Sequence, residues 1–360
     1  MAKRDIVVIG ASAGGVYALQ ELVGNLSADF NGSLFIVQHL APYSPSLLPT
    51  ILSRSGPLEV RHPYDGEPIQ PGHIYIAPPD HHLLIERDTE YDSPGHILVR
   101  KGPKENRFRP SIDALFRSAA YSFGPRVIGV VLTGLLNDGT SGMWTINRLG
   151  GMGIVQQPDE ALYASMPESV LEFVEVDHVL PLSDIALMLS QLTQETAPET
   201  AASHQHHVAD SIPVNNELRR IKTEIDTAAE VSIFERGILS MGALTPLTCP
   251  ECSGVLVSFR EGQLIRYRCH TGHSYTASTL LADVTKSIED SMWQSVRALE
   301  ESILLLNQAA GQLEEAGFTD AAEQYRSRSA EALDRAHRIR ELIYANERLA
   351  VDGVVPVKLV

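Results

Sequence analysis

A serine, a histidine and an aspartate in this chain each follow a short apolar run. Ser12 comes after Ile6-Val7-Val8-Ile9, His39 after Ser33-Leu34-Phe35-Ile36-Val37, and Asp138 after Val127 to Leu132. Apolar runs of this length, bounded by small or turn-forming residues, read as buried strands. If those strands are parallel neighbours, the side chains at their carboxyl ends face one crevice. A hydroxyl, an imidazole and a carboxylate meeting there would serve acyl transfer, with one group attacking, one taking its proton and one fixing the tautomer. An unaided hydroxyl is a weak nucleophile, and positioned proton transfer contributes about 10²–10⁴-fold. Preorganised N–H donors contribute about 3–4 kcal/mol more on the developing oxyanion. The turn Gly10-Ala11-Ser12-Ala13-Gly14-Gly15 leaves room for a carbonyl carbon to approach, and the Ala13 amide is the natural first donor. Taken singly, each of these residues is an ordinary turn residue; their shared placement at strand ends carries the inference.

A second group of chemically capable residues lies far downstream. Cys249-Pro250-Glu251-Cys252 and Cys269-His270-Thr271-Gly272-His273 flank a hairpin-like stretch, Val255–Phe259 then Leu264–Tyr267. Cys-x-x-Cys and Cys-x-x-x-His turns joined by a hairpin put four soft ligands on one tetrahedron, a zinc-ribbon arrangement. Cys249, Cys252, Cys269 and His273 are the expected ligands, with His270 the competing fourth. A filled site of this kind is structural, and no cofactor is expected for catalysis. A zinc deaminase fits poorly, since no His-x-Glu precedes the cysteine pair.

The elements that must position these groups can be read from the 360 residues. Residues 1–192 alternate apolar runs with helical patterns, which predicts an α/β domain with a doubly wound, mostly parallel sheet. Ile74–Ala77, Leu83–Ile85 and Ile97–Val99, separated by turn-rich pieces, predict an antiparallel edge hairpin. Residues 193–215, which include His204, His206 and His207, are polar and aperiodic and read as a flexible linker. Residues 216–277 hold the zinc-ribbon-like module with a leading helix. Residues 278–350 carry apolar residues at threes and fours, broken at Gly317-Phe318-Thr319-Asp320, and predict an antiparallel helical hairpin. Its stripe is either its own core or a dock for a signalling partner's helix.

Apolar content of 44% and charged content of 21% are those of a globular protein. The net charge of −16, with no basic block, argues against a nucleic-acid partner. No 18-residue apolar run marks a membrane span, and all three cysteines fall between Cys249 and Cys269. Absence of a leader and of a disulfide framework predicts a cytoplasmic protein.

Residues 5 to 192 resemble the catalytic domain of the bacterial chemotaxis protein-glutamate methylesterases. The matching stretches are Ile9 through Gly15, Val37-Gln38-His39, Ile76-Ala77-Pro78 with His82, Arg109-Pro110-Ser111-Ile112-Asp113, Leu132-Thr133-Gly134 through Asn137-Asp138-Gly139, and Met166-Pro167. The resemblance implies a doubly wound α/β fold, hydrolysis of glutamate γ-methyl esters on chemoreceptors, and deamidation of certain receptor glutamines. Carried over position by position, it implies that Ser12 is the nucleophile, His39 the base and Asp138 the orienting carboxylate. It also suggests Leu135 as a backbone oxyanion donor and Arg109 as a residue that steers an acidic receptor helix, against a helix-start role shared with Asp113. His81 and His82 read as a solvated hairpin end. Three departures stand out: Ala13 where the family has threonine, Leu135-Leu136 where it has Met-Gly, and the esterase pattern starting at residue 5 without the receiver domain that normally controls it.

Two other functions compete. A nucleotide-binding oxidoreductase would want glycine at position 12 and an acidic residue ending the second strand, where Gln38-His39 stands. A decayed esterase fold acting as a regulatory scaffold through its C-terminal half is the alternative kept open by Ala13 and Leu135-Leu136.

Overall fold

The computed structural model describes residues 2–43, 45–87, 94–198, 212–230 and 237–346. Most of the expected linker, with its three histidines, and the last four residues of the expected hairpin range lie outside them.

Ile6–Ala11 (β1) has no polar face and is buried along its whole length, as a parallel strand covered on both sides must be. Gly15–Gly24 (α1) follows the turn at Ser12, and Ser33–Gln38 (β2) is likewise buried throughout. Leu48–Ser53 (α2), Glu59–Arg61 (β3), Glu67–Pro68 (β4), His73–Ile76 (β5), His82–Glu86 (β6) and His96–Arg100 (β7) lead to Ile112–Phe123 (α3). Val127–Val131 (β8), Thr140–Arg148 (α4), Met152–Gln156 (β9), Ser165–Phe173 (α5), His178–Leu180 (β10) and Leu182–Leu192 (α6) complete this part.

Seven strands form one parallel sheet in the order β10-β9-β8-β1-β2-β5-β3. Alternate residues feed two cores. Val7, Ile9, Leu34 and Ile36 pack toward Leu19 of α1, Leu52 of α2 and Leu189 of α6. Ile6, Val8, Phe35 and Val37 pack toward Phe116 of α3, Met143 of α4 and Met166 of α5. The chain leaves β1 for β2 on one side and later adds β8 on the other, so β1 marks the point where the strand order reverses.

The antiparallel hairpin is present as β6–β7, but it joins β4 in a separate three-stranded sheet. Ile74–Ile76, expected in that edge, belongs to the main sheet as a parallel strand. Its alternation cannot distinguish the two settings, because the pairing partners lie far away in sequence.

Ile212–Ala228 (α7) precedes a second antiparallel sheet of Ala243–Thr248 (β11), Val255–Glu261 (β12), Leu264–Cys269 (β13) and Ser274–Thr276 (β14), paired in chain order. The chain divides by compactness into Met1–Thr279 and Leu280–Val360, so this sheet and the α/β part share one unit. Six fully buried charged side chains join them. Arg268 of β13 reaches Glu105 at 2.7 Å and Glu224 of α7 at 3.0 Å, Arg117 of α3 reaches Glu105 at 3.1 Å, and Arg266 reaches Glu261 at 3.3 Å. Alternating signs are what makes such burial tolerable. Burial pushes the Glu105 carboxyl up, but Arg117, Arg268 and Arg266 outweigh it and hold the group well below the carboxylate range.

The other unit contains most of Ala277–Glu315 (α8) and all of Thr319–Asn346 (α9). Ion pairs Glu314–Arg326 and Glu300–Arg340 run in opposite sequence directions, so the two helices are antiparallel. Ala310, Ala322, Ala336 and Ile343 are buried, while Leu304, Leu305 and Trp293 are exposed. Among the described residues, no helix is long and apolar enough to cross a membrane.

Candidate active site

Strands β8, β1 and β2 are neighbours at the centre of the parallel sheet, and their carboxyl ends deliver Asp138, Ser12 and His39. Ser12 Oγ lies 3.0 Å from His39 Nδ1, and His39 Nε2 lies 2.9 Å from Asp138 Oδ2. Asp138 is ionised, so the imidazole donates from Nε2–H and presents its Nδ1 lone pair to the serine hydroxyl, which donates to it. The ring is 4% exposed and stacks on Phe108, with centroids 3.8 Å apart and planes 9° apart. Packing therefore fixes both the tilt and the height of the imidazole.

The serine turn is held by its own backbone. Ser12 N–H donates to Thr133 O at 3.1 Å, and Ser12 O accepts from Gly15 N–H at 2.9 Å and Gln38 Nε2 at 2.8 Å. Gly134 has to be glycine, since a Cβ there would sit 2.1 Å from Met166 Sδ and 2.8 Å from Ser12 Cβ. No described residue accepts a hydrogen bond from the Ala13 or the Leu135 amide. Leu136 adopts φ +64°, a left-handed conformation that costs a side-chain-bearing residue about 1–2 kcal/mol.

Asp138 collects donors on both oxygens. Oδ2 accepts from His39 Nε2 and from Ile112 N–H at 2.7 Å; Oδ1 accepts from Asn106 Nδ2 at 3.0 Å, Ser111 Oγ at 3.0 Å and Asp113 N–H at 3.2 Å. Two of these are amides left unpaired by the start of α3. Asp113, in the first turn of α3, returns the arrangement by accepting Gly139 N–H at 3.0 Å and Gly142 N–H at 2.7 Å from the start of α4. Each helix start is capped by the other's aspartate. Burial pushes the Asp138 carboxyl up, but the hydrogen bonds from His39, Asn106 and Ile112 prevail and hold it below its ordinary value. Asp113 goes the other way: burial and the nearby Asp138 charge push it up to about 7.

Other expected residues lie elsewhere. Arg109 is tied down: its Nε and Nη2 reach Asp80 Oδ1 at 2.9 and 2.6 Å, and its Nη1 reaches Gly102 O at 2.7 Å. Asp80, 29 residues earlier in the chain, thus partners the guanidinium that the sequence offers for substrate steering or for a helix-start role. His82 is fully buried rather than solvated, with Nε2 donating to Pro103 O at 2.9 Å and Nδ1 accepting from Ser111 N–H at 3.3 Å. Asn106, Phe108 and Ser111 touch the site without having been singled out. Ser111 carries the helix-start signal, whereas Asn106 and Phe108 show nothing local that marks them.

Cys249, Cys252, Cys269 and His273 converge, with all four ligand atoms within 4.8 Å of one another. Cys249 Sγ and Cys269 Sγ each lie 3.6 Å from His273 Nδ1, and Cys252 Sγ lies 3.7 Å from Cys269 Sγ. Tetrahedral zinc with ordinary bond lengths sets sulfur–sulfur and sulfur–nitrogen separations of about 3.8 and 3.6 Å. The donor set therefore fits zinc in spacing and in softness. The Thr271 hydroxyl at 3.0 Å and the His273 amide at 3.2 Å both lie against the Cys269 sulfur, as partners of a thiolate would. His270 is exposed and outside the cluster.

Comparison with known proteins matches residues 7–189 to the model of the CheB methylesterase family. A Leptospira interrogans relative, provisionally named a protein-glutamate methylesterase/protein-glutamine glutaminase, is 37% identical over 53% of this chain and 95% of its own length. A Rhizobium johnstonii protein-glutamate methylesterase/protein-glutamine glutaminase is 37% identical over 50% of this chain, which spans 48% of that relative. Among solved structures, the Thermotoga maritima CheB methylesterase catalytic domain superposes with a TM-score of 0.50 at 34% identity, over 53% of this chain and 99% of that one.

Proposed function

The chain belongs to the CheB methylesterase family, and we propose that it is a serine hydrolase that removes methyl esters from glutamate side chains of a chemoreceptor-like protein. The observation that carries this reading is the unbroken Ser12–His39–Asp138 hydrogen-bond chain at the carboxyl ends of three adjacent strands. Ser12 Oγ attacks the γ-carbonyl carbon while its proton passes to His39 Nδ1. Asp138 keeps the imidazole in the Nε2–H tautomer and balances the imidazolium charge. The Ala13 and Leu135 amides are the proposed donors to the tetrahedral oxyanion. When the carbonyl reforms, the methoxy group leaves as methanol with the proton from His39. A water then gives its proton to His39, attacks the acyl–Ser12 ester and releases the glutamate carboxylate. A receptor glutamine would follow the same path and lose ammonia.

Residues 1–192 would supply this chemistry. Residues 216–277 would form a zinc ribbon held by Cys249, Cys252, Cys269 and His273, and 278–350 a helical hairpin open to a signalling partner. The zinc would be structural and take no part in the reaction. A decayed scaffold is disfavoured, because hydroxyl, imidazole and carboxylate are all present and within hydrogen-bonding reach of one another in the order that acyl transfer uses. The test is methanol release from a methylated receptor fragment. Wild type should release it and Ser12→Ala should not; equal release by both rejects the proposal.

A further inference from the structure

The stretch from Ser274 to Thr279 runs from the cysteine–histidine cluster into the first turn of α8, and it grips two residues that adjoin Asp138. Asn106 N–H donates to Ser274 O at 2.8 Å, and Asn106 Oδ1 accepts from Thr279 Oγ1 at 3.4 Å. The same side chain donates through Nδ2 to Asp138 Oδ1 at 3.0 Å and to Asp113 Oδ2 at 2.7 Å. It thus places one amide between two buried carboxylates that would otherwise repel each other. Asn137, next to Asp138 in the chain, is held at both ends of its amide. Its Nδ2 donates to Ser278 Oγ at 2.7 Å, and its Oδ1 accepts from Thr276 Oγ1 at 3.0 Å.

The gripping segment is itself stiff. Thr276 N–H donates to Thr279 Oγ1 at 2.8 Å and Thr279 N–H to Thr276 Oγ1 at 3.3 Å, a reciprocal cap in which threonine fills the usual glutamate position. Thr276, Thr279, Asn106 and Ser274 are all fully buried. Glu105, the neighbour of Asn106, is pinned by Arg268 from β13 of the same ribbon.

We propose that this segment is a positioning element of the esterase site: through Asn106 and Asn137 it sets the rotamer of Asp138 and the course of the Leu135–Asn137 loop. The inference rests on the hydrolase reading above. The physical reason is geometric. Asn106, Ser111 and the Asp113 amide hold Oδ1 while the Ile112 amide holds Oδ2 toward His39. Without the Asn106 side chain one of these restraints is gone, and Asp138 faces the Asp113 carboxyl with no donor between them. The ribbon then stands as a part of the catalytic unit.

The test measures methanol release from a methylated receptor fragment, as kcat and KM separately and as a function of pH, for the full chain. The variants are Ser12→Ala, Asn106→Gly, Ser278→Ala and Ser278→Thr. Glycine at 106 keeps the left-handed backbone (φ +48°) and removes only the amide. Asn106→Gly should lower kcat by about 10–100-fold with KM little changed, because a charge-assisted hydrogen bond is lost. It should also move the acid limb of kcat to higher pH, as Asp138 becomes more basic. Ser278→Ala should lower kcat by about threefold or more, and Ser278→Thr, which keeps the hydroxyl, should restore it. If Asn106→Gly and Ser278→Ala both match wild type while Ser12→Ala is inactive, this inference fails and the hydrolase reading stands. Ser278→Thr as impaired as Ser278→Ala also overturns it. No Ser12-dependent release from wild type overturns both.

Discussion

Replacing Asp138 with asparagine changes one atom, yet the site has no place for the amide it creates. Both carboxylate oxygens only accept: Oδ2 from His39 Nε2 and Ile112 N–H, Oδ1 from Asn106, Ser111 and Asp113 N–H. An NH₂ at the Oδ2 position faces a backbone amide that cannot turn and forces the imidazole into the Nδ1–H tautomer, leaving the Ser12 hydroxyl without an acceptor. That outcome costs about 10⁴ in kcat. An NH₂ at the Oδ1 position lets the Ser111 hydroxyl and the Asn106 amide reorient but strands the Asp113 N–H, and the imidazolium loses its counter-charge. Kinetic loss in that orientation is about 10²-fold. Either way at least one buried N–H loses its partner and the other bonds lose their charge, a combined cost of about 3–5 kcal/mol. For a unit of this size that is a fall in Tm of roughly 6–15 °C. Thermal unfolding and methanol release on the same Asp138→Asn preparation read both quantities. An unchanged Tm with kcat within threefold of wild type would refute the reasoning, since five donors cannot be indifferent to a sixth.

If the pair with Asp80 serves structure, Arg109→Met should leave the KM for a methylated receptor within about twofold and lower Tm by a few degrees; a large rise in KM with unchanged Tm would instead support the steering role. Asp113, with a carboxyl near 3.8 when unfolded and about 7 when folded, gives stability that is full at low pH and lost as pH rises through 7. The advantage of wild type over Asp113→Asn in urea unfolding should therefore shrink by about 1 kcal/mol or more between pH 5.5 and 7.5, and an equal difference at both pH values contradicts this. Purified protein should carry about one zinc per chain, and its removal by a chelator should lower the Tm of the Met1–Thr279 unit; a metal-free chain with the same Tm rules the structural ion out.

The strand ends are legible in the sequence because an apolar run that stops at a polar residue states its own boundary, as Ile9 before Ser12 and Leu132 before Asp138 do. Cysteine spacing is legible for a similar reason: Cys-x-x-Cys and Cys-x-x-x-His encode local turns. What escapes is set by long-range partners. Ile74–Ile76 reads the same in either sheet, since alternation does not report which strand lies alongside. His82 sits among turn residues and looks solvated, but Pro103 and Ser111 close over it. Asn106 has no periodic or motif signal at all; its position between two aspartates exists only after α3, α4 and the ribbon have met. The mutual capping of α3 and α4 is hidden too, because each aspartate looks like a cap for its own helix.

The central claim is that His39 makes the Ser12 hydroxyl a nucleophile. Mass spectrometry of the full chain after exposure to a fluorophosphonate tests it directly, since phosphorus accepts the attacking oxygen and fluoride leaves. The account predicts a single adduct on the peptide bearing Ser12, and its loss in His39→Gln. An unlabelled wild type, or equal labelling of the two proteins, would contradict it.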